Sequence, residues 1–184
     1  NLLSIKNVEK TKEINKLDEL RKKRARSTIK KFMIHGIFAA DSLGGIGLGG
    51  SLPWPHNKED LNKFKEITSG HVVVMGRRTW DDPKMPKPLP GRINVVFTNR
   101  AIRMAGVRSV SGDVRDRITE LQDIYPGKNI FVIGGKQLIE ESSILFTNLY
   151  LTHIKGNYRA DTRIHLDRYL AGFRALSAGP SSDR

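Results

Sequence analysis

The sequence predicts an α/β domain organised on a largely parallel sheet. Three observations carry that expectation. Short β-branched runs such as His71-Val72-Val73-Val74-Met75 have the length and apolar continuity of strands buried on both faces. Segments with apolar residues at helical spacing fall between those runs, so strands and helices alternate. Glycines or polar residues stand directly after the runs, at Gly76, Asn99 and Gly134, where open parallel sheets bind their ligands.

Residues 1–32 differ from the rest. They hold eleven Lys or Arg against four Asp or Glu, and so carry +7 of the chain's net +13, with neither Gly nor Pro. Asn15 and Asp18 suit a helix start, but Leu17 and Leu20 supply only a thin apolar stripe. The basic run from Arg21 to Arg26 has two readings: a solvated helical arm, or a surface for nucleic acid or another acidic partner. Nothing in it resembles base-reading chemistry. We divide the chain into this basic, helical extension (1–32) and a compact domain (33–184).

From Met33 the texture changes. Residues 33–40 read as a buried strand, and 41–50 as a glycine-rich loop that should be mobile unless a ligand orders it. The loop enters Leu52-Pro53-Trp54 and then a short helix on which Leu61, Phe64 and Ile67 recur at helical spacing. Asp60 lies four residues before Phe64 and shares that apolar flank, as a proton-handling carboxylate would. The bland alternative is a helix start, with Asn57 as N-cap and Asp60 as its acidic third position.

The run 71–75 is the next strand, and Gly76-Arg77-Arg78-Thr79-Trp80 follows. Gly, helix-terminal amides and two arginines favour anionic oxygens, although a tight turn with surface arginines has the same pattern. Residues 83–92 are too proline-rich for regular structure. Strand 94–98, helix 113–125 (Ile118, Leu121 and Ile124), strand 129–133, the Gly134-Gly135 turn, helix 136–144 and strand 148–154 complete the reading. Paired glycines between strand and helix suit a close approach to phosphate.

Composition removes several classes. With no cysteine there are no disulfides and no thiolate metal sites, and the five histidines lack metal-ligand spacing. No apolar run reaches the roughly 18 residues of a membrane span, and no secretory pattern opens the chain, so a cytoplasmic protein is the expectation. Neither a resident metal nor a Ser-His-Asp constellation is expected.

Taken in order, these pieces resemble the dihydrofolate reductase family. The resemblance rests on Ile37-Phe38-Ala39, Ile46-Gly47, Leu52-Pro53-Trp54, Asp60-Leu61 with Phe64, and Met75-Gly76-Arg77-Arg78-Thr79-Trp80. It continues through Leu89-Pro90-Gly91-Arg92, Val132-Ile133-Gly134-Gly135, Leu149-Tyr150-Leu151-Thr152-His153 and Asp161-Thr162, covering about residues 33–166. It implies a central, mostly parallel twisted sheet flanked by helices, with an antiparallel C-terminal edge. It also implies NADPH-dependent reduction of 7,8-dihydrofolate to tetrahydrofolate, with antifolates as further ligands.

On that resemblance, Asp60, Trp54, Thr152 and Leu52 form the catalytic group. Asp60 would pair with the pterin, Thr152 would fix its rotamer, Trp54 would hold water, and the loop from Ile46 to Leu52 would close over the nicotinamide. Ile37, Phe38, Leu61, Phe64, Leu89 and Ile133 would line the ring slot, while Arg92 would grip the substrate's glutamate carboxylate. The cofactor would meet Ala39, Ile46 and Gly47 at its nicotinamide. Gly76, Arg77, Arg78 and Thr79 match one phosphate turn, with Thr98, Asn99 and Arg100 nearby. Gly134, Gly135, Lys136, Gln137 and Leu138 match the other, where the family has a cis Gly–Gly bond.

There are departures. Gln137 stands where many members have arginine, which leaves part of the cationic cradle to Lys136 or Arg100. The 81–87 connection is long and proline-rich. Residues 170–176 suit the first arm of the family's closing hairpin, but its partner strand is missing. Three sources for that strand are a separate piece, a partner chain, or the arm folding back through Leu3, Ile5 and Val8. Two other functional readings remain: the pyrimidine reductase of riboflavin synthesis, disfavoured by Leu52-Pro53-Trp54 with Asp60-Leu61, and a reductase-like structural or binding component anchored by the arm.

Overall fold

A computed structural model describes residues 15–22 and 33–173. Residues 15–22 are helical (α1), with exposed ion pairs Asp18–Arg21 at 3.9 Å and Glu19–Lys22 at 3.4 Å. Pairs this solvated stabilise little. Leu17 and Leu20 are exposed as well. The proposed fold-back strand with Leu3, Ile5 and Val8, and the basic run beyond Lys22, lie outside the described residues.

Six strands form the main sheet, in the order β5-β4-β3-β6-β1-β7. They are β1 (Ile34–Asp41), β3 (Val72–Gly76), β4 (Ile93–Phe97), β5 (Val107–Val110), β6 (Ile130–Gly134) and β7 (Asn148–Ile154). Every pairing in this sheet is parallel. The antiparallel part is a separate two-stranded sheet of β2 (Gly45–Gly47) and β8 (Thr162–Arg163).

Period-two alternation explains why the sheet must be covered on both faces. Val72 and Val74 of β3 join one core with Val95, Val132, Ile118, Leu121, Leu138 and Ile139. Val73 and Met75 point the other way, into a second core with Ile37, Val96, Phe131, Trp80 and Leu89. Helices α4 (Val114–Ile124) and α5 (Lys136–Ser142) cover the first face, and α2 (Lys58–Thr68) brings Phe64 and Ile67 to the second. Asp113 caps α4 by accepting from Asp116 N at 3.0 Å.

Two expectations change here. β5 is additional, because Val107-Arg108-Ser109-Val110 has no continuous apolar run and becomes a strand only by pairing with Asn94–Phe97. Residues 170–176 are not a hairpin arm over their described part. Leu166–Leu170 is a helix, α6, whose Leu166 and Tyr169 pack on the first core at helical spacing, and 171–172 form a turn. β7 is therefore one edge of the sheet among the described residues, opposite β5.

One buried group makes stability pH-dependent. His35 on β1 is 2% exposed, sits 5.1 Å from the Phe131 ring, and its Nδ1 has no hydrogen-bond partner. Burial, and then the charge of His71, hold its pKa below the ordinary 6.5. The unfolded chain therefore takes up the proton more readily, so stability is complete above about pH 6.5 and falls as pH drops toward the folded pKa. We expect the Tm to fall between about pH 7 and 5 and His35→Leu to reduce that fall, with His71 contributing the remainder. Thermal unfolding at stepped pH checks this; parallel curves for the two proteins would refute it.

Candidate active site

A cleft of 3610 Å³ runs past the carboxyl ends of β3, β4 and β6 and continues along β7. One wall is α2. Asn57 has extended backbone and its side chain accepts from Asp60 N at 3.1 Å, so the helix starts as the cap pattern requires. The Asp60 carboxylate points elsewhere: Oδ1 accepts the Thr152 hydroxyl at 2.7 Å. The capping and proton-handling readings are thus compatible, one served by the backbone of Asp60 and the other by its side chain.

Thr152 reaches this acid because β7 pairs with β1 in a register that sets Thr152 beside Ala39. An ionised carboxylate offers about four acceptor positions. One is taken by Thr152, which leaves capacity for two donors from a ligand. Ile37, Phe38, Leu61, Phe64, Leu89 and Ile133 all line the same cleft. Leu61 at 39% and Leu52 at 42% exposure form its lip. Trp54 is buried, its ring edge-on to Tyr158 at 6.2 Å.

Arg92 lies beyond Phe64, its guanidinium 5.6 Å from the ring centroid. It donates to Thr68 Oγ1 at 3.2 Å and to the Pro90 carbonyl at 3.0 Å. These contacts aim a planar donor fork at the cleft, which Arg92 lines. Its segment is held by Asn94, fully buried, whose amide donates to the carbonyls of Leu89 and Arg92 and whose Oδ1 accepts from Leu89 N.

At the other end, the glycine turns after β3 and β6 face each other. A Cβ on Gly76 would lie 3.6 Å from Gly135 N, and one on Gly134 would lie 3.5 Å from Thr79 Oγ1. Gly134 has φ +142, which side chains rarely tolerate, and the Gly134-Gly135 peptide is cis. Gly76 and Gly135 begin α3 (Arg77–Trp80) and α5 with no side-chain cap. The cleft wall here also holds Ala39, Ile46, Gly47, Arg77, Arg78, Thr98, Asn99, Lys136, Gln137 and Leu138. Arg77 is engaged by Asp81 at 3.0 Å and bonds Thr98 Oγ1, while Gln137 bonds Glu141. Arg100 is the exception: it is absent from this wall, and its backbone N–H folds back on Thr98 Oγ1. The cations facing the turns are Arg77, Arg78 and Lys136.

Several site residues escape sequence reasoning. Ser51 donates to both carboxylate oxygens of Asp82 at 3.1 and 3.2 Å, joining the loop to the far side of the cleft. Asp161 accepts from Gly49 N at 2.8 Å and donates its own N–H to the Gly47 carbonyl at 3.0 Å. Asp41 accepts three backbone N–H groups, those of Leu43, Gly45 and Tyr158. Burial raises its pKa, but those bonds and Arg163 outweigh it and leave the carboxyl below the usual range. The segment 41–51 is consequently tied at three points, by Asp41, Asp161 and Asp82, which its glycines alone do not foretell. Its acids are recognisable in sequence; their donors are far apart or on the backbone, where sequence leaves no mark.

Among the described residues no cluster of three or more His, Cys, Asp or Glu suits a metal ion, and no helix is long and apolar enough to cross a membrane. Fold and cleft together define a nucleotide-linked α/β enzyme. The family described as dihydrofolate reductase matches residues 33–174. Dihydrofolate reductase type 8 of Escherichia coli is 37% identical over 138 residues, spanning 72% of this chain and 80% of that protein. The enzyme of Mycobacterium leprae (strain TN) is 40% identical over 119 residues, 64% of this chain and 70% of its own. A solved dihydrofolate reductase from Enterococcus faecalis, complexed with NADP(H) and RAB-propyl, aligns with TM-score 0.64 and 33% identity over 72% of this chain and 78% of that one. The chain belongs to the dihydrofolate reductase family.

Proposed function

We propose that this protein reduces 7,8-dihydrofolate to tetrahydrofolate with NADPH, using the domain that begins at Met33. The observation that carries the reading is the Thr152–Asp60 bond inside an apolar cleft that continues to the paired glycine turns. The remaining acceptor positions of Asp60 suit the pterin ring N–H and its amino group together. Such a charge-assisted pair would orient the flat ring along Ile37, Phe38, Leu61, Phe64, Leu89 and Ile133. Its negative charge also stabilises the positive character that develops on the pterin ring during reduction. The proton comes from water, with Asp60 favouring protonation of the ring nitrogen electrostatically, and Trp54 would hold that water.

The glycine turns fit a dinucleotide, because side chains at Gly76, Gly134 or Gly135 would fill the gap between them. When bound there, NADPH supplies the hydride. Arg77, Arg78 and Lys136 would meet its phosphates, with Thr79, Thr98, Asn99, Gln137 and Leu138 as the flanking wall. Ala39, Ile46 and Gly47 would abut the nicotinamide, and Leu52 at the loop's end would help exclude water. The apolar slot with Arg92 at its end also suits antifolates. A chain without cysteine, acting with a soluble cofactor, suits the cytoplasm.

The test follows NADPH oxidation by the purified chain with and without dihydrofolate. Consumption that requires dihydrofolate and is much weaker with NADH supports the reading. Binding of both ligands with no turnover would instead support a binding component.

A further inference from the structure

We propose that Asp41 is a positioning residue that sets Trp54 in the active site through Tyr158. Asp41 is a carboxylate 1% exposed to solvent at the end of β1, outside the pterin and cofactor contacts assigned above. Its Oδ1 accepts from Leu43 N at 2.9 Å and Gly45 N at 2.8 Å; Oδ2 accepts from Tyr158 N at 3.2 Å. One buried charge therefore holds two loops, 42–45 and 156–160, that are more than a hundred residues apart in sequence. Ser42 reinforces the junction, donating its N–H to the Gly156 carbonyl at 3.0 Å while its Oγ accepts Gly156 N at 3.0 Å.

The junction bears on the site at both ends. Gly45 leads directly into Ile46 and Gly47, which line the cleft. A side chain at Gly45 would meet Asp41 Oδ2 and the Ala160 methyl at 2.6 Å, so the carboxylate fills the space that glycine leaves. At the other end, Tyr158 donates its backbone N–H to Asp41 and presents its ring edge-on to Trp54. Its hydroxyl, directed away from that contact, donates to the exposed Lys155 carbonyl at 3.3 Å and is not needed for it. Trp54 is buried and lines the cleft alongside Asp60, so displacement of Tyr158 would move the wall next to the catalytic acid.

An acceptor-only group is required here, because three N–H donors converge on two oxygens. Asp41→Asn keeps the shape but turns one of those oxygens into a donor. Either the Leu43–Gly45 pair or Tyr158 N then faces another donor in a buried space. The Asp161–Gly49 contact lies elsewhere on the loop and stays available in this variant.

The experiment uses the full chain labelled with fluorotryptophan. Its two tryptophans, Trp54 and Trp80, give an internal control, since Trp80 is buried on α3 away from this junction. We expect Asp41→Asn to shift or broaden the Trp54 fluorine signal and leave that of Trp80 in place. Tyr158→Leu, which removes the ring but keeps the backbone donor, should change Trp54 in the same selective way, and Tyr158→Phe should not. Ile118→Val, a core change on the opposite face, is the control for general loss of stability and should leave both signals alone. We expect kcat to fall about tenfold in Asp41→Asn and in Tyr158→Leu, as misplaced active-site walls do, with smaller changes in the KM for NADPH. The catalytic part rests on the proposed reductase reading; the fluorine part does not, so the two fail separately. If Asp41→Asn does not fold, Asp41→Glu, which keeps an acceptor-only carboxylate but displaces it by one methylene, carries the test and should move the Trp54 signal alone. A Trp54 signal indifferent to the Asp41 variant or to Tyr158→Leu, or a shift shared equally by Trp54 and Trp80, overturns the proposal.

Discussion

Asp60→Asn is expected to lower kcat by about a hundredfold or more, the scale set by losing a positioned proton-handling group. The asparagine keeps the size of the side chain, and its oxygen can still accept the Thr152 hydroxyl that now sits 2.7 Å from Oδ1. What changes is the other half of the group: an N–H2 replaces an oxygen where two pterin donors should arrive. The ring is then repelled from its productive pose, and the charge that favours ring protonation is gone. The cofactor walls near Gly134 and Gly135 do not include this residue, so the Kd for NADPH should stay within about threefold. Steady-state kinetics with direct cofactor titration separates the two effects. Equal losses in turnover and cofactor affinity would remove Asp60 from its assigned role.

Arg92→Leu should act almost entirely on substrate affinity. Removing a charge-assisted pair costs about 1.5–3 kcal/mol, which corresponds to a rise of about 10–150-fold in the KM for dihydrofolate. Binding of methotrexate, which carries the same glutamate tail, should weaken in parallel. Arg92→Lys should fall between, since it restores the charge but not the fork. A pteridine lacking the glutamate tail provides the decisive comparison and should be reduced equally well by both variants. If that substrate is equally impaired, Arg92 supports the wall around Phe64 and Thr68, not the tail.

These two predictions stand on residues of unequal visibility. Asp60 is conspicuous because Leu61, Phe64 and Ile67 define a flank by periodicity, and an acid on an apolar flank breaks the pattern. Arg92 is not conspicuous in that way. It reads as one more cation in a basic chain, and its family likeness alone singles it out. Gly134-Gly135 lies between: two glycines after a buried run mark a turn, but the facing turn at Gly76 comes close only once β3 and β6 pair.

The boundaries that sequence misses have a common cause. Val107–Val110 is a strand through its hydrogen bonds to β4, and β2 and β8 are a pair whose members are separated by over a hundred residues. The family pattern suggests a hairpin arm over 170–176, yet the segment that leads into it coils to pack Leu166 and Tyr169 against the first core. Arg100 has the charge for a phosphate site and the right place in sequence, but it does not line the cleft as Thr98 and Asn99 do.

Local pattern was enough for the parallel α/β architecture, the two glycine turns and the acid on α2, because apolar periodicity and glycine placement are written along the chain itself. It could not supply Thr152 for Asp60, Asp82 for Ser51, or Tyr158 for Asp41 and Trp54. Those partners meet across the cleft only when β7 docks beside β1 and the loops after them close together, and the bonds that result are made by atoms whose separation in sequence is unrelated to their separation in space.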